Sequence, residues 1–84
     1  MNVSTTQQGN TVRIRIDGEL DALTVAKLVP VLDDLLQGAQ RSWVIDLSEL
    51  RMIDSSGVGA IIYAFKKLRE CGGTLSIEGA VAQP

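Results

Sequence analysis

The sequence predicts a single α/β domain, ordered β-β-α-β-α-β, with helices flanking a mostly parallel central sheet. Three observations carry this. Residues 11–17, "TVRIRID", alternate apolar and polar side chains strictly. Residues 42–50, "SWVIDLSEL", hold a short run that stays apolar until Asp46. Two longer segments, each followed by glycine, repeat apolar residues at helical spacing. A period of two marks a strand with one solvated face, and a spacing of i, i+3, i+4 and i+7 marks an amphipathic helix.

In "TVRIRID", Val12, Ile14 and Ile16 share one face, and Arg13, Arg15 and Asp17 share the other. A shorter strand around residues 3–7 is expected to pair with it, turning at Gly9-Asn10. Gly18 is expected to end the longer strand. Asp21 or Thr24 then caps a helix by accepting from free backbone N–H groups. Val25, Leu28, Val29, Leu32, Leu35 and Leu36 form its apolar stripe, and Gly38 stops it. Pro30 removes a hydrogen bond within that helix and crowds the preceding turn, at a cost of about 3 kcal/mol. The stripe stays in phase across Pro30, so a kink is expected and not a break.

"WVIDL" reads as a central strand buried on both faces. The second helix follows "IDSSG", with a stripe of Val58, Ile61, Ile62, Phe65 and Leu68. Lys66, Lys67 and Arg69 lie near its C-terminal end, where cations suit the helix dipole. Gly72-Gly73 ends it, and "TLSIE", residues 74–78, alternates as a last strand. Strands that alternate with helices imply right-handed crossovers and parallel pairing.

Composition narrows the function classes. The chain has 84 residues, enough for one domain of modest stability. The hydrophobic share of 45% and the charged share of 21% suit a globular protein and not a disordered one. A net charge of −2 with no basic block argues against a nucleic-acid surface. The N-terminal "MNVSTTQQGN" lacks an apolar h-region, and no run is long enough to span a bilayer. Cys71 is the only cysteine and reads as a small filler near a helix end. A reducing, cytoplasmic setting without membrane contact is expected.

The chain contains no histidine. A Ser-His-Asp triad, a Cys-His pair and a histidine-based zinc site are all unavailable. "DSSGVG" is not G-x-S-x-G, and "SSGVG" has neither a dinucleotide fingerprint nor a P-loop lysine. No catalytic residue, metal or cofactor is therefore expected.

The candidate site is the junction "IDSSGVGAI", residues 53–61. Functional groups gather at the carboxyl ends of parallel strands, where loops feed helix N-termini. If the strands before Asp21 and Ser55 are neighbours, those two residues lie on one edge. A phosphate on a serine there would meet free N–H donors and the positive end of the helix dipole. It would add roughly −1.5 to −2 charges beside Asp54 and Asp21. Gly57 and Gly59 keep the approach low in bulk. A plain helix cap explains the same residue types, because Ser, Ser and Asp are what an N-terminus needs. Asp21 as a cap and Trp43 as a strand residue have equally simple readings.

"VIDLSELRMIDSSGVGAII" resembles the signature of the STAS domain, and in particular the bacterial anti-anti-sigma factors. "GELD" followed by Thr24 and Leu28 resembles that family's first strand-to-helix junction, and "CGGTLSIEG" resembles its segment after the second helix. The resemblance runs from about residue 11 to residue 79 and is most specific in D-x-S-x-x-x-x-x-D-S-S-G, from Asp46 to Gly57. It implies a protein that binds an anti-sigma factor serine kinase and so releases a sigma factor. It implies that the kinase phosphorylates Ser55, which turns binding off, and that a serine phosphatase restores it. Asp21, Thr24, Asp54, Ser55, Ser56 and Gly57 map onto the partner-binding edge. A STAS-like accessory subunit of an ABC-type lipid transport ATPase is the alternative. The family continues with a further helix and strand after "GAVAQP", so a C-terminally shortened domain is expected, with exposed edges that favour a homodimer or domain swap.

Overall fold

A computed structural model describes residues 1–79. The "GAVAQP" end beyond Gly79, on which the expectation of a shortened domain rests, lies outside the described residues. β1 (Asn2–Gln8) and β2 (Thr11–Leu20) form an antiparallel hairpin. Gly9 takes φ 60 in its turn, a left-handed conformation that glycine adopts without a Cβ penalty. α1 (Val25–Leu36) follows and runs unbroken through Pro30. β3 (Ser42–Asp46) then pairs in parallel with β2, with Ile14 beside Ile45.

A strand not anticipated from sequence comes next. β4 (Leu50–Ile53) pairs in parallel with β2, picking up its C-terminal end where β3 leaves it. "LRMI" has no apolar alternation, and none of its residues is fully buried. The backbone ladder holds it, which periodicity does not reveal. Gly18 does not end β2. It takes φ 93 at a register shift and lets the strand continue to Leu20. α2 (Ser55–Glu70) leads into β5 (Thr74–Glu78), which pairs in parallel with β3. The path β1-β2-β3-β5, with β4 also on β2, is a mixed sheet whose only antiparallel pairing among the described residues is the first hairpin.

Both helices contribute to one core with a single face of this sheet. Val12, Ile14, Ile16, Trp43 and Ile45 from the strands meet Leu28 and Leu32 of α1 and Ala60, Ile61, Ala64 and Leu68 of α2. Tyr63 donates a 2.6 Å hydrogen bond to Asp33, tying α2 to α1. The expectation that "WVIDL" is buried on both faces is corrected here. Val44, between Trp43 and Ile45, is only half-buried. It shares the outer face with Arg13 and Ser76, its register partners on either side. Alternation in β2 had already assigned that face to charge.

The α2 stripe is corrected as well. Gly57, Ala60, Ile61, Ala64 and Leu68 are buried, whereas Val58, Ile62 and Phe65 are exposed. Ile61 and Leu68 of the expected stripe are thus in the core, while the small residues let α2 lie close on the sheet with Val58, Ile62 and Phe65 turned outward.

The outer sheet face carries an ion cluster. Arg13 donates to Asp46 at 3.1 Å and to Glu78 at 2.8 Å, joining β2, β3 and β5. Asp46 also accepts from the Ser48 N–H at 2.9 Å, which turns the chain from β3 towards β4. The Ser48 hydroxyl and backbone bonds, and then the Arg13 guanidinium, hold the Asp46 carboxyl down to about 2. A carboxyl depressed in the folded state contributes stability above its unfolded value of 3.8 and loses it as pH falls through about 2. The urea midpoint should therefore drop across that acid window, and Asp46→Asn should flatten the drop. Equal acid slopes for the two proteins would count against Asp46 as its source.

Candidate functional site

The site forms where β2 and β4 end side by side. Leu20 and Ile53 are register partners, so the residues that follow them, Asp21 and Asp54, leave the sheet together. The Asp54 N–H donates to the Leu20 carbonyl at 3.1 Å, which locks the two exits to each other. The strands before Asp21 and Ser55 are thus neighbours, the condition on which their sharing one edge depended.

Asp54 is the N-cap of α2. Its backbone is extended, and its Oδ1 accepts from the Gly57 N–H at 3.1 Å. Its carbonyl accepts from Val58 at 3.0 Å. Ser55 and Ser56 occupy the first two helical positions. Neither serine supplies the cap bond, although serine is suited to it. The Ser55 side chain is exposed and the Ser56 side chain half-buried. Their backbone N–H groups belong to the first turn, which has no helical acceptors.

Gly57 is buried against the junction. A Cβ there would lie 2.8 Å from Leu20 Cγ, from the Leu20 carbonyl oxygen and from Ile53 Cγ1. Glycine at this position lets the helix N-terminus close onto the paired strand ends. Gly59 is the opposite case, since a Cβ there would touch nothing within 4 Å.

Asp21 and Thr24 form a closed turn ahead of α1. Asp21 Oδ1 accepts from the backbone N–H groups of Leu23 and Thr24, each at 3.0 Å. Thr24 Oγ1 accepts from the Asp21 N–H at 2.9 Å and donates to the Glu19 carbonyl at 2.9 Å. Hydrogen bonds from Thr24, the backbone one foremost, and from Leu23 hold the Asp21 carboxyl below its usual range. The expectation that Asp21 or Thr24 caps α1 with its side chain is corrected. Thr24 is the N-cap by position but its side chain makes no cap bond, and Asp21 stabilises the turn before the helix. That rigid turn presents Leu23, 85% exposed, to solvent.

The structure therefore brings Asp21, Thr24, Asp54, Ser55, Ser56 and Gly57 to one edge. It adds Leu20, Ile53 and Leu23, which sequence reasoning missed. The signal for the first two lay in "GEL" and "RMI", short segments whose pairing is non-local. The edge carries two carboxylates and a serine hydroxyl. Among the described residues, no cluster of His, Cys, Asp or Glu could hold a metal ion, and no helix is long and apolar enough to cross a membrane.

Comparison with known proteins places the chain and its fold. The sequence model of a family described as "Mlab, STAS domain" matches residues 3–84. An anti-sigma-B factor antagonist of Staphylococcus aureus (strain NCTC 8325 / PS 47) is 32% identical over 79 residues, covering 94% of this chain and 73% of its own. The solved structure of the anti-sigma factor antagonist SpoIIAA in its unphosphorylated form superposes with a TM-score of 0.83 at 25% identity, over 96% of this chain and 76% of that one. That of the Bacillus cell fate determinant SpoIIAA in the phosphorylated form gives 0.74 at 28% identity, over 88% and 68%.

Proposed function

The chain belongs to the STAS domain family, and on that premise we propose that it is an anti-sigma factor antagonist whose Ser55 edge binds the anti-sigma factor. It is a regulatory binding protein and not an enzyme, as its antagonist relatives are. The unphosphorylated form binds an anti-sigma factor that is also a serine kinase, which frees the sigma factor. The kinase transfers the γ-phosphoryl group of ATP to Ser55 Oγ and ADP leaves. A serine phosphatase hydrolyses the ester and restores binding.

One observation carries this reading. Asp54 supplies the cap bond, so the exposed Ser55 hydroxyl is spare. A phosphate placed on it leaves the helix start bonded and the core untouched. It adds roughly −1.5 to −2 charges to an edge that already holds Asp54 and Asp21, which changes how a partner meets that edge. The helix dipole and the first-turn N–H groups favour the added charge, and the two carboxylates oppose it. Ser56 and Gly57 shape the seat of Ser55, and the Asp21–Thr24 turn forms the neighbouring wall. That the SpoIIAA structures include an unphosphorylated and a phosphorylated form supports a phosphorylation switch.

Incubation with ATP and the cognate anti-sigma factor should add one phosphate, located to Ser55 by mass spectrometry and absent from Ser55→Ala. Ser55→Asp should weaken binding at least tenfold. A label elsewhere, or undiminished labelling of Ser55→Ala, would reject the assignment. Copurification with an ABC-type ATPase in place of an anti-sigma factor would favour the accessory-subunit reading.

A further inference from the structure

β1 is an outer strand of the sheet, first in the order β1-β2-β3-β5. β2 takes one side of it, in an unbroken register of seven pairs from Asn2 to Gln8. Backbone groups of alternate residues in β1 point away from β2. Such a row is a template for a further strand, and proteins blunt it with charge, proline, a bulge, shortness or a covering segment. β1 uses none of these. "NVSTTQQ" holds no charged residue and no proline, and its register has no shift. Its seven residues exceed the usual strand length of about five to six. Six of the seven are exposed and only Val3 is half-buried, so no described segment covers it.

The other outer strand of the path is different. β5 is five residues long and ends at Glu78, which is bonded to Arg13. The chain continues beyond Gly79 from β5, with β2 and β3 between it and β1. The sequence leads to a homodimer through edges at the C-terminal end, whereas the unprotected edge lies opposite it.

The composition of β1 selects its occupant. Two copies laid antiparallel over their full length meet at Thr5. Thr5 then faces Thr5 of the second copy, Ser4 faces its Thr6, Val3 its Gln7 and Asn2 its Gln8. No pair brings like charges together, and Thr–Thr and Ser–Thr are cross-strand pairs that hydrogen-bond. A foreign strand is chosen by pockets that take its alternate side chains. β1 presents instead six exposed polar side chains, whose hydrogen-bond complement is the same strand reversed.

We propose that β1 is a self-pairing edge, through which two copies join antiparallel about Thr5 into one continuous sheet. The two-fold axis stands normal to the sheet, so the contact closes as a dimer with the helices of both copies on one face. The β1 ladder stops at Asp17, before the Leu20–Ile53 pair, and antiparallel pairing sends the two Ser55 edges to opposite ends. The dimer does not depend on the function of those edges. A contact one strand wide falls at the weak end of protein interfaces, so the dimer forms as concentration rises.

The test is sedimentation equilibrium of the full chain over a range of concentrations, with and without a thiol reductant. The parent should approach twice its monomer mass in both. Thr5→Lys and Thr5→Glu, each first melted to show that it folds, should stay monomeric where half the parent is dimeric. Each puts like charges together at the axis. An equimolar mixture of the two should recover the dimer, because the axis then joins opposite charges. Ser55→Ala should associate as the parent does. A parent that is monomeric at every concentration overturns the proposal. So does a dimer that both Thr5 variants leave intact, or a mixture that stays monomeric. A dimer lost in Ile62→Ser and kept in Thr5→Lys would assign association to the exposed side of α2, and one lost in reductant would assign it to the exposed Cys71. Either result overturns the β1 edge.

Discussion

Trp43→Ala is expected to lose about 3–5 kcal/mol of folding stability, the usual range for deleting a large buried aromatic side chain. A domain of this length has roughly 4–13 kcal/mol in total, at about 0.05–0.15 kcal/mol per residue. The loss is thus about a quarter to all of the domain's stability, and the urea midpoint should fall accordingly. Trp43 is 1% exposed and stands on the core face of β3, between Val12 of β2 and Leu75 of β5. It is among the largest fully buried side chains in the described residues. Its Nε1 is buried and has no hydrogen-bond partner among the described residues. An unmet buried donor costs about 1–3 kcal/mol. Trp43→Phe removes that donor while keeping most of the ring, so it should lose much less than Trp43→Ala. Urea unfolding followed by circular dichroism measures both. Equal losses for the two variants would show that the retained ring does not preserve the packing here and would overturn this account.

Gly57→Ala carries the second large effect. A methyl group forced to within 2.8 Å of the Leu20 carbonyl and of Ile53 Cγ1 cannot be accepted without moving the helix start. Overpacking of this kind costs about 1–3 kcal/mol. The matched control lies two residues on. Gly59→Ala meets nothing within 4 Å and should gain about 0.5–1 kcal/mol from its helical preference. The two substitutions are chemically identical and sit in one helix, yet they should shift the urea midpoint in opposite directions. A shift of the same sign would mean that α2 is not seated on the paired ends of β2 and β4. Gly57→Ala should also slow phosphorylation of Ser55, because the helix start that presents it is displaced.

Much of this was legible along the chain. The alternation of Val12, Ile14 and Ile16 is local and strict, and β2 buries those residues. Gly9-Asn10 marks its turn by residue type alone, and the hairpin forms there. Asp54 before two serines and a glycine reads as a helix start, and α2 begins at Ser55. Other features were not legible, for identifiable reasons. "LRMI" shows no period because its register with β2 is set by hydrogen bonds to a distant segment. Gly18 reads as a terminator, yet its φ of 93 serves a register shift inside a longer strand. Asp21 reads as a helix cap, yet the Asp21–Thr24 bonds close a turn one step earlier.

The side of α2 that meets the core shows the boundary most clearly. Spacing gives one apolar stripe on this helix, through Val58, Ile61, Ile62, Phe65 and Leu68. The protein buries Ile61 and Leu68 of it together with Gly57, Ala60 and Ala64, and leaves Val58, Ile62 and Phe65 exposed. The small residues win because they let the helix approach the sheet at Leu20 and Ile53, a gain that depends on where the strands lie. The sequence by itself determined the order of most elements, the hairpin turn, the start of α2 and the serine placed there, since each depends on residues a few positions apart. Only the tertiary structure decided that β2 and β4 end together, that Asp21 and Asp54 share an edge, and that Val58, Ile62 and Phe65 of α2 stay exposed. Those outcomes rest on contacts between segments tens of residues apart, whose balance of close approach against buried area local pattern does not record.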